Sequence, residues 1–210
     1  MSITLEVSNK KKSFREAQFE AREQAILSST NKLLASKGFE TMSMDDIASD
    51  VGIAKGSLYK HFSSKESLAA AVMVQLLHRT SAALASQDPA IAAIKRLEML
   101  LRWILKERLV GGVPHLPSTS QTLRDALMSN KTYLNALMGL SEEIGVLIHS
   151  AKKDGAIPAV FANEFVMYCL YARSCDPTLE FLKDAGTLSD EVIVDQMVAA
   201  FFFGMSARPA

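Results

Sequence analysis

Two short helical patterns follow one another between Ser43 and Phe62, separated by a single glycine. The first begins at Ser43, a good N-cap residue, and Asp46 three residues later completes a capping-box pair. This pattern ends after about two turns at Gly52, a typical residue for a helix C-terminus. The second, AKGSLYKHF, has only two plainly apolar side chains, Leu58 and Phe62. Two brief helices joined by a glycine-containing turn predict a helix-turn-helix unit.

The second pattern leaves most of its circumference free for contact with something outside the domain. On a helical wheel Leu58 and Phe62 share one edge, which predicts that both are buried. The remaining arc carries hydroxyl and cationic groups and one residue without a side chain: Tyr59, Lys60, Ser57, His61 and Gly56. Phosphate groups accept hydrogen bonds from such side chains, and a glycine permits close approach of the backbone. The segment is therefore predicted to lie in the major groove of DNA, and a merely solvated helix face is the alternative.

The rest of the chain is helical in pattern and shows no convincing run of alternating strand residues. A helix over about 14–37 precedes the short pair, and a long helix from Ser63 or Ser64 to about Ser86 follows it. Asp88 and Pro89 predict the start of another helix, which extends to about residue 109. The remaining helical stretches are 118–129, 131–153, 159–174, 178–184 and 189–204. These patterns predict an all-α fold of about nine helices.

Charge and motifs limit the possible classes of function. The net charge is zero, but residues 1–65 hold 10 Lys and Arg against 8 Asp and Glu, whereas residues 66–210 hold 13 against 15. The run from Lys10 to Lys12 is either an arm for a neighbouring minor groove or a solvated tail. The four histidines show no metal-ligand spacing, and no nucleophile or phosphate-loop motif occurs. We therefore expect neither an enzyme, nor a metal site, nor a cofactor.

No apolar run follows the start methionine, and the longest apolar stretch, 197–205, is shorter than the roughly 20 residues of a membrane-spanning helix. A cytoplasmic protein without a membrane partner is therefore expected. Cys169 and Cys175 would lie on different faces of a helix, which favours two small apolar residues in a reduced compartment over a redox sensor.

Residues 38–68, GFETMSMDDIASDVGIAKGSLYKHFSSKESL, resemble the DNA-binding domain of the TetR-type (tetracycline-repressor-like) family of transcriptional regulators. The resemblance extends back through residues 26–39, ILSSTNKLLASKGF, and covers about a quarter of the chain. It implies an all-helical protomer with two domains. These would be a three-helix DNA-binding domain, 1–64, with a mobile basic arm at 1–12, and a helical ligand-binding and dimerisation domain, 65–210.

The resemblance also implies roles for individual residues. Phosphate contacts are expected from Ser43, Tyr59, His61 and Lys65, and contacts with base edges or the adjacent backbone from Lys55, Gly56, Ser57 and Lys60. Lysine is able to read guanine O6 and N7, so Lys55 or Lys60 is the predicted specificity determinant. Three residues depart from the family pattern. Ala54 lacks a side-chain cap for the second short helix, whereas Thr30 and Asn31 stand at first-helix positions that are usually apolar.

The second domain has less distinctive patterns. The resemblance implies a pocket among its middle helices, and the candidate lining residues are Trp103, Met128, Tyr133, Met138, His149, Phe165 and Tyr168, with core packing as the alternative for each. His115 either gates a pocket mouth or is exposed in a loop. The final helical stretch is too apolar for a free surface helix. With the stretch 159–174 it resembles the family's dimer interface, which implies the candidate interface residues Val192, Val194, Met197, Val198, Phe201 and Phe202.

These features predict a ligand-responsive transcriptional regulator that binds a palindromic operator as a homodimer. The family's usual behaviour implies repression, with release from double-stranded DNA by a small apolar or amphipathic effector. A ligand-independent DNA-binding protein on the same scaffold and a helical interaction scaffold without DNA affinity are the alternatives.

Overall fold

The structure is a computed structural model that describes residues 13–114 and 120–205. Within these ranges the chain forms ten helices and no strand: α1 (Phe14–Lys37), α2 (Met44–Val51), α3 (Lys55–His61), α4 (Lys65–Ala85), α5 (Ala93–Leu109), α6 (Gln121–Ser129), α7 (Lys131–Lys153), α8 (Asn163–Ser174), α9 (Thr178–Ala185) and α10 (Asp190–Met205). The predicted all-α class is confirmed, and the predicted tally of about nine becomes ten when the short α9 is counted. The basic arm at 1–12 and His115 lie outside the described residues.

Serine caps begin the helices that build the N-terminal part. Ser13, Ser43 and Ser64 each accept a hydrogen bond from the backbone N–H three residues later, and the side chain of that later residue bonds back to the cap. Such reciprocal capping satisfies backbone donors that the first turn leaves free. At the other end of α2, Gly52 takes a left-handed conformation with φ 72° and ψ 36°. A residue with a Cβ atom is disfavoured there, so the glycine lets the chain turn directly into α3.

Helices α1 to α3 form a small core together with the start of α4. α1 packs against α2 and α4, and α2 packs against α3. The apolar side chains at the centre are almost fully buried: Ile26, Leu34, Ile47, Leu58 and Leu68. Because α3 contributes only Leu58 to the fully buried set, most of its surface remains outside this core.

Two residues of α1 are polar at positions where the TetR-type sequence pattern is usually apolar, and both are hydrogen-bonded. Thr30 is fully buried, and its hydroxyl donates to the carbonyl oxygen of Ile26 at 2.8 Å. The Asn31 side-chain amide donates to the carbonyl oxygen of Gly111 at 2.9 Å, in the turn that follows α5. The second bond links α1 to the C-terminal part of the chain, so Asn31 joins two regions instead of packing in one core.

Helix α4 connects the N-terminal helices with the others, because it contacts α1 on one side and α5, α6 and α7 on the other. By length and composition α4 is apolar enough to cross a membrane, but half of the relevant window is buried inside the protein, as in the core helix of a globular fold. The division between residues 64 and 65 stays a prediction, since α4 packs with both sets of helices.

Two helices begin at least four residues later than the sequence suggests. α5 begins at Ala93, because Asp88 instead forms a turn in which its carboxylate accepts from the Ala90 N–H at 2.9 Å. α8 begins at Asn163 and not at residue 159, because a turn closed by the Phe161 N–H and the Pro158 carbonyl oxygen, 3.2 Å apart, precedes it. In both cases a proline-containing turn separates the predicted start from the first helical residue.

Candidate DNA-binding surface

Helix α3 presents several of the predicted contact residues on one exposed surface. Its N-cap residue, Ala54, makes no side-chain cap bond, as its sequence requires. Leu58 is fully buried against the core, whereas 46% of Tyr59 is exposed. Lys55, Gly56 and Lys60 are also exposed, and Ser57 is partly exposed. The structure therefore brings a phenol, two ammonium groups, a hydroxyl and a bare backbone segment to one side of a short helix.

Neither the backbone conformation nor contacts within the protein require glycine at position 56. Its φ is not positive, and a Cβ atom built at this position would meet nothing within 4 Å. A glycine in a helix costs up to about 1 kcal/mol relative to alanine. Because internal packing does not require it, the missing side chain fits best with close approach by an external molecule.

The acidic side chains of the first turn of α2 are paired with lysines from two directions. Asp46 lies 3.1 Å from Lys37 Nζ, and its carboxylate accepts from the Ser43 backbone N–H at 3.0 Å and from the Ser43 hydroxyl at 2.7 Å. The bonds from Ser43, helped by Lys37, lower the pKa of Asp46 to about 2. Asp45 accepts from Lys55 Nζ at 2.8 Å, and this bond raises the pKa of Lys55.

His61 does not face outward, so its predicted phosphate contact is wrong for this conformation. Its side chain is only 3% exposed, because the Phe19 ring stacks on it with a centroid distance of 4.1 Å and an interplanar angle of 26°. His61 Nδ1 lies 3.9 Å from a carboxylate oxygen of Glu23 and has no hydrogen-bond partner among the described residues. The sequence pattern gave no signal that the first turns of α1 cover the end of α3.

Lys65 also points toward the protein. Its Nζ donates to the Phe39 carbonyl oxygen at 2.9 Å and lies 4.3 Å from the centroid of the Phe39 ring. Lys65 thus ties the turn between α1 and α2 to the start of α4. The phosphate contact predicted for Lys65 would require its ammonium group to leave these partners.

Comparison with known proteins shows what the N-terminal region and the fold resemble. The model of the family "Bacterial regulatory proteins, tetR family" matches residues 26–72, which hold all of α2 and α3. The HTH-type transcriptional regulator EthR of Mycolicibacterium smegmatis is 26% identical over 147 residues, which cover 65% of this chain and 64% of EthR. A solved structure from Shewanella sp. PV-4, assigned to the tetR family of transcription regulators, is 25% identical with a TM-score of 0.66, and the match covers 89% of this chain and 99% of that one.

Residues 26–72 of the chain carry a DNA-binding region of the TetR type.

A further likeness concerns the fold alone. The fatty acid degradation regulator FadR from Bacillus halodurans has a TM-score of 0.69 at 16% identity, and the match covers 95% of this chain and all of that structure, 100%. The chain spans slightly less than two thirds of the length of EthR.

The seven candidate pocket residues do not surround a common cavity, which corrects that prediction. Most are exposed: Met128 at 55%, Met138 at 60%, Phe165 at 52%, Tyr168 at 66%, and His149. Tyr133 is buried at 8% exposure, and Trp103 is partly buried with the Arg79 guanidinium carbon 5.8 Å from its ring centroid. Helix α7 turns a different face to the core, consisting of Leu140, Ile144, Leu147, Ile148 and Ala151. The sequence did not reveal which face that would be.

A cavity lies instead between the N-terminal helices and the rest of the fold. It has a volume of about 1170 Å³ and is bordered by α1, α4, the end of α5 and α9. Its lining includes Asn31, Gln75, Arg79, Arg108, Val110 and Phe181, and none of the seven candidate pocket residues. The described residues contain no group of three or more His, Cys, Asp or Glu side chains that could hold a metal ion.

Most of the candidate dimer-interface residues are buried within one protomer, which corrects a second prediction. Val194, Met197, Val198, Phe201 and Phe202 are all at most 8% exposed, because this face of α10 belongs to the protomer's own core, where α10 contacts α5 and α9. Val192 remains 38% exposed. The opposite face of α10 is the free one.

The free faces of α8 and α10 carry exposed apolar side chains. On α10 Phe203 is 78% exposed, and on α8 Tyr168 and Phe165 are more than half exposed. A groove of about 460 Å³ separates the two helices and is lined by Phe165, Cys169 and Ala200, among others. We call these two free faces, with the groove between them, the α8–α10 face.

Proposed function

We propose that this protein is a transcriptional repressor that binds a palindromic operator as a homodimer and is released by a small amphipathic effector. The observation that carries the proposal is the exposed surface of α3, where Lys55, Gly56, Tyr59 and Lys60 face outward while Leu58 is fully buried. Such a helix has the length and the donor groups to enter the major groove, with phosphate contacts from its hydroxyl and ammonium groups.

A homodimer follows from the small size of this surface. One seven-residue helix offers few base contacts, and a two-fold axis doubles them across a palindrome. The α8–α10 face supports a self-complementary interface, because it exposes three large aromatic side chains, Phe165, Tyr168 and Phe203, and exposed apolar patches mark protein–protein contacts. Paired recognition helices would then meet major grooves about 34 Å apart.

The effector is proposed to bind in the cavity between α1, α4 and α9. Its lining mixes apolar residues such as Val110 and Phe181 with the guanidinium groups of Arg79 and Arg108, which suits an amphipathic molecule. Because α1 belongs to the DNA-binding part and α9 does not, occupation of this cavity bears on the relative position of the two parts. A ligand changes that position only through different affinities for the bound and released conformations.

The test uses the DNA upstream of the protein's own gene, with binding followed by fluorescence anisotropy and footprinting. We expect sequence-specific binding that protects two half-sites one helical turn apart. Absence of any sequence preference on upstream DNA would contradict the proposal. Addition of amphipathic metabolites and drugs to the preformed complex is expected to identify one that releases the DNA.

A ligand-independent DNA-binding protein on the same scaffold is the second candidate. The exposure of five of the seven candidate pocket residues favours it, since those residues enclose no site in this conformation. Specific operator binding that no amphipathic molecule alters would select this candidate. Both candidate functions use α3 to bind DNA as a dimer, and they differ only in whether an effector binds in the cavity.

A further inference from the structure

Two aspartates lie on the surface that is proposed to meet DNA. Asp45 and Asp46 occupy the first turn of α2, where the exposed backbone N–H groups of a helix favour an anion. The Asp46 carboxylate accepts hydrogen bonds from the backbone N–H and the hydroxyl of Ser43, the residue expected to contact phosphate. The Asp45 carboxylate accepts a hydrogen bond from the ammonium group of Lys55, a predicted specificity determinant. The chain's own carboxylates thus occupy positions that suit DNA phosphates.

The pair of Asp45 and Lys55 is the more informative of the two. It joins the start of α2 to the start of α3 at 2.8 Å, and the two side chains are 69% and 51% exposed, respectively. Solvent-exposed ion pairs contribute little to folding stability. Asp46, by contrast, is part of the capping box of α2 and has a clear structural role. The ion pair itself therefore contributes little to the stability of the fold, although the Asp45 carboxylate also favours the positive end of α2.

An anionic side chain on a DNA-binding surface weakens binding to any duplex, whatever its sequence. Lysines contribute to nonspecific affinity by displacing the counterions condensed on phosphates, and this contribution depends on each lysine being free to do so. Lys60 makes no hydrogen bond or ion pair with any residue in the described ranges, so it is available at once. Lys55 must first leave Asp45.

We propose that Asp45 competes with DNA phosphates for Lys55 and thereby makes binding more selective for the operator. This inference rests on the proposed function, because it concerns the same DNA-binding surface. On a nonspecific duplex, exchanging the Asp45 carboxylate for a phosphate gives Lys55 little advantage. On the operator, guanine O6 and N7 offer two acceptors to the released ammonium group, and the rest of α3 binds at the same time.

The experiment compares Asp45→Asn with the wild-type protein on an operator duplex and on a scrambled duplex of equal length. Binding is measured by anisotropy over a salt series. We expect the affinity of the variant for the scrambled duplex to rise about 8-fold for each protomer at ~0.1 M salt, with the slope of log K against log[salt] steeper by about 0.9 per protomer. Operator affinity should rise less, so the ratio of operator to scrambled affinity falls.

Three further variants separate this role from simple changes of charge or fold. Asp50→Asn removes the same charge from the other end of α2, where Asp50 lies 3.9 Å from Lys32 and accepts from Ser29, and it should leave the ratio near the wild-type value. Asp45→Glu keeps the carboxylate and should do the same. The double variant with Lys55→Met should cancel the gain of Asp45→Asn on the scrambled duplex.

Each outcome has one meaning. If the wild-type protein shows no preference for the operator, the proposed function fails and this inference is left without its basis. If the wild type prefers the operator but Asp45→Asn and Asp50→Asn bind the scrambled duplex alike, the competition is refuted. A variant Asp45→Asn that loses only operator affinity would also refute it, because Asp45 would then position Lys55 and not restrain it.

Discussion

The substitution Gly56→Ala is expected to change folding stability and DNA affinity in opposite directions. The added Cβ atom meets nothing within 4 Å in the protein, and the backbone at this position is not in the left-handed region. Replacing an exposed helical glycine by alanine under these conditions stabilises a protein by about 0.5–1 kcal/mol. For a chain of this size that gain corresponds to a rise in Tm of roughly 1–4 °C.

The same substitution is expected to weaken operator binding. A methyl group inserted into a tightly packed contact typically costs about 1–3 kcal/mol, and each 1.4 kcal/mol is a tenfold change in Kd. Gly56→Ala should therefore raise the operator Kd by about tenfold or more while it raises Tm. Thermal unfolding followed by circular dichroism and operator titration by anisotropy measure the two effects on one preparation.

Gly139→Ala is the matched control. Gly139 lies within α7, away from α3, and a Cβ atom there also meets nothing within 4 Å. It should raise Tm by a similar amount and leave the operator Kd unchanged. If Gly56→Ala binds the operator as tightly as Gly139→Ala does, no external backbone approaches α3 at this position, and the argument for the DNA-facing surface is refuted.

Three other perturbations test separate parts of the account. Lys60→Met should lower operator affinity and reduce the salt slope by about 0.9 per protomer, as measured by anisotropy; an unchanged slope would exclude a phosphate contact. Phe203→Glu should convert the dimer to monomers in sedimentation experiments, whereas an unaffected dimer would mean that the α8–α10 face is not the interface. The pKa of Asp46 is lowered from 3.8 to about 2 in the folded state, so its contribution to stability is complete above about pH 4 and is lost as the pH falls toward 2. Ser43→Ala removes the main cause of that shift and should flatten the loss of Tm between pH 4 and pH 2.

The helix-turn-helix unit was predictable because its signals are local. Ser43, Asp46 and Gly52 act through hydrogen bonds and backbone angles within a few residues of themselves. Leu58 was correctly expected to be buried, since α3 carries so few apolar side chains that only one edge can face a core. Such features depend on neighbours in sequence, and a single sequence contains them.

The errors arose where distant parts of the chain meet. Phe19 covers His61, but the 41 positions between them give no sign that the first turns of α1 reach the end of α3. In α10 the apolar residues extend around most of the helix, so the sequence could not say which of them the protomer itself covers. Phe201 and Phe202 are buried inside, whereas Phe203 is the residue that remains exposed.

The most direct measurement of the central claim is methylation protection of the operator by dimethyl sulfate, which modifies guanine N7 in the major groove and adenine N3 in the minor groove. If paired α3 helices enter the major groove, guanine N7 atoms should be protected in two half-sites about 34 Å apart on one face of the duplex. Gly56→Ala should reach the same protection only at a protein concentration about tenfold higher or more. Protection confined to adenine N3, or a single protected site without a two-fold related partner, would contradict the claim.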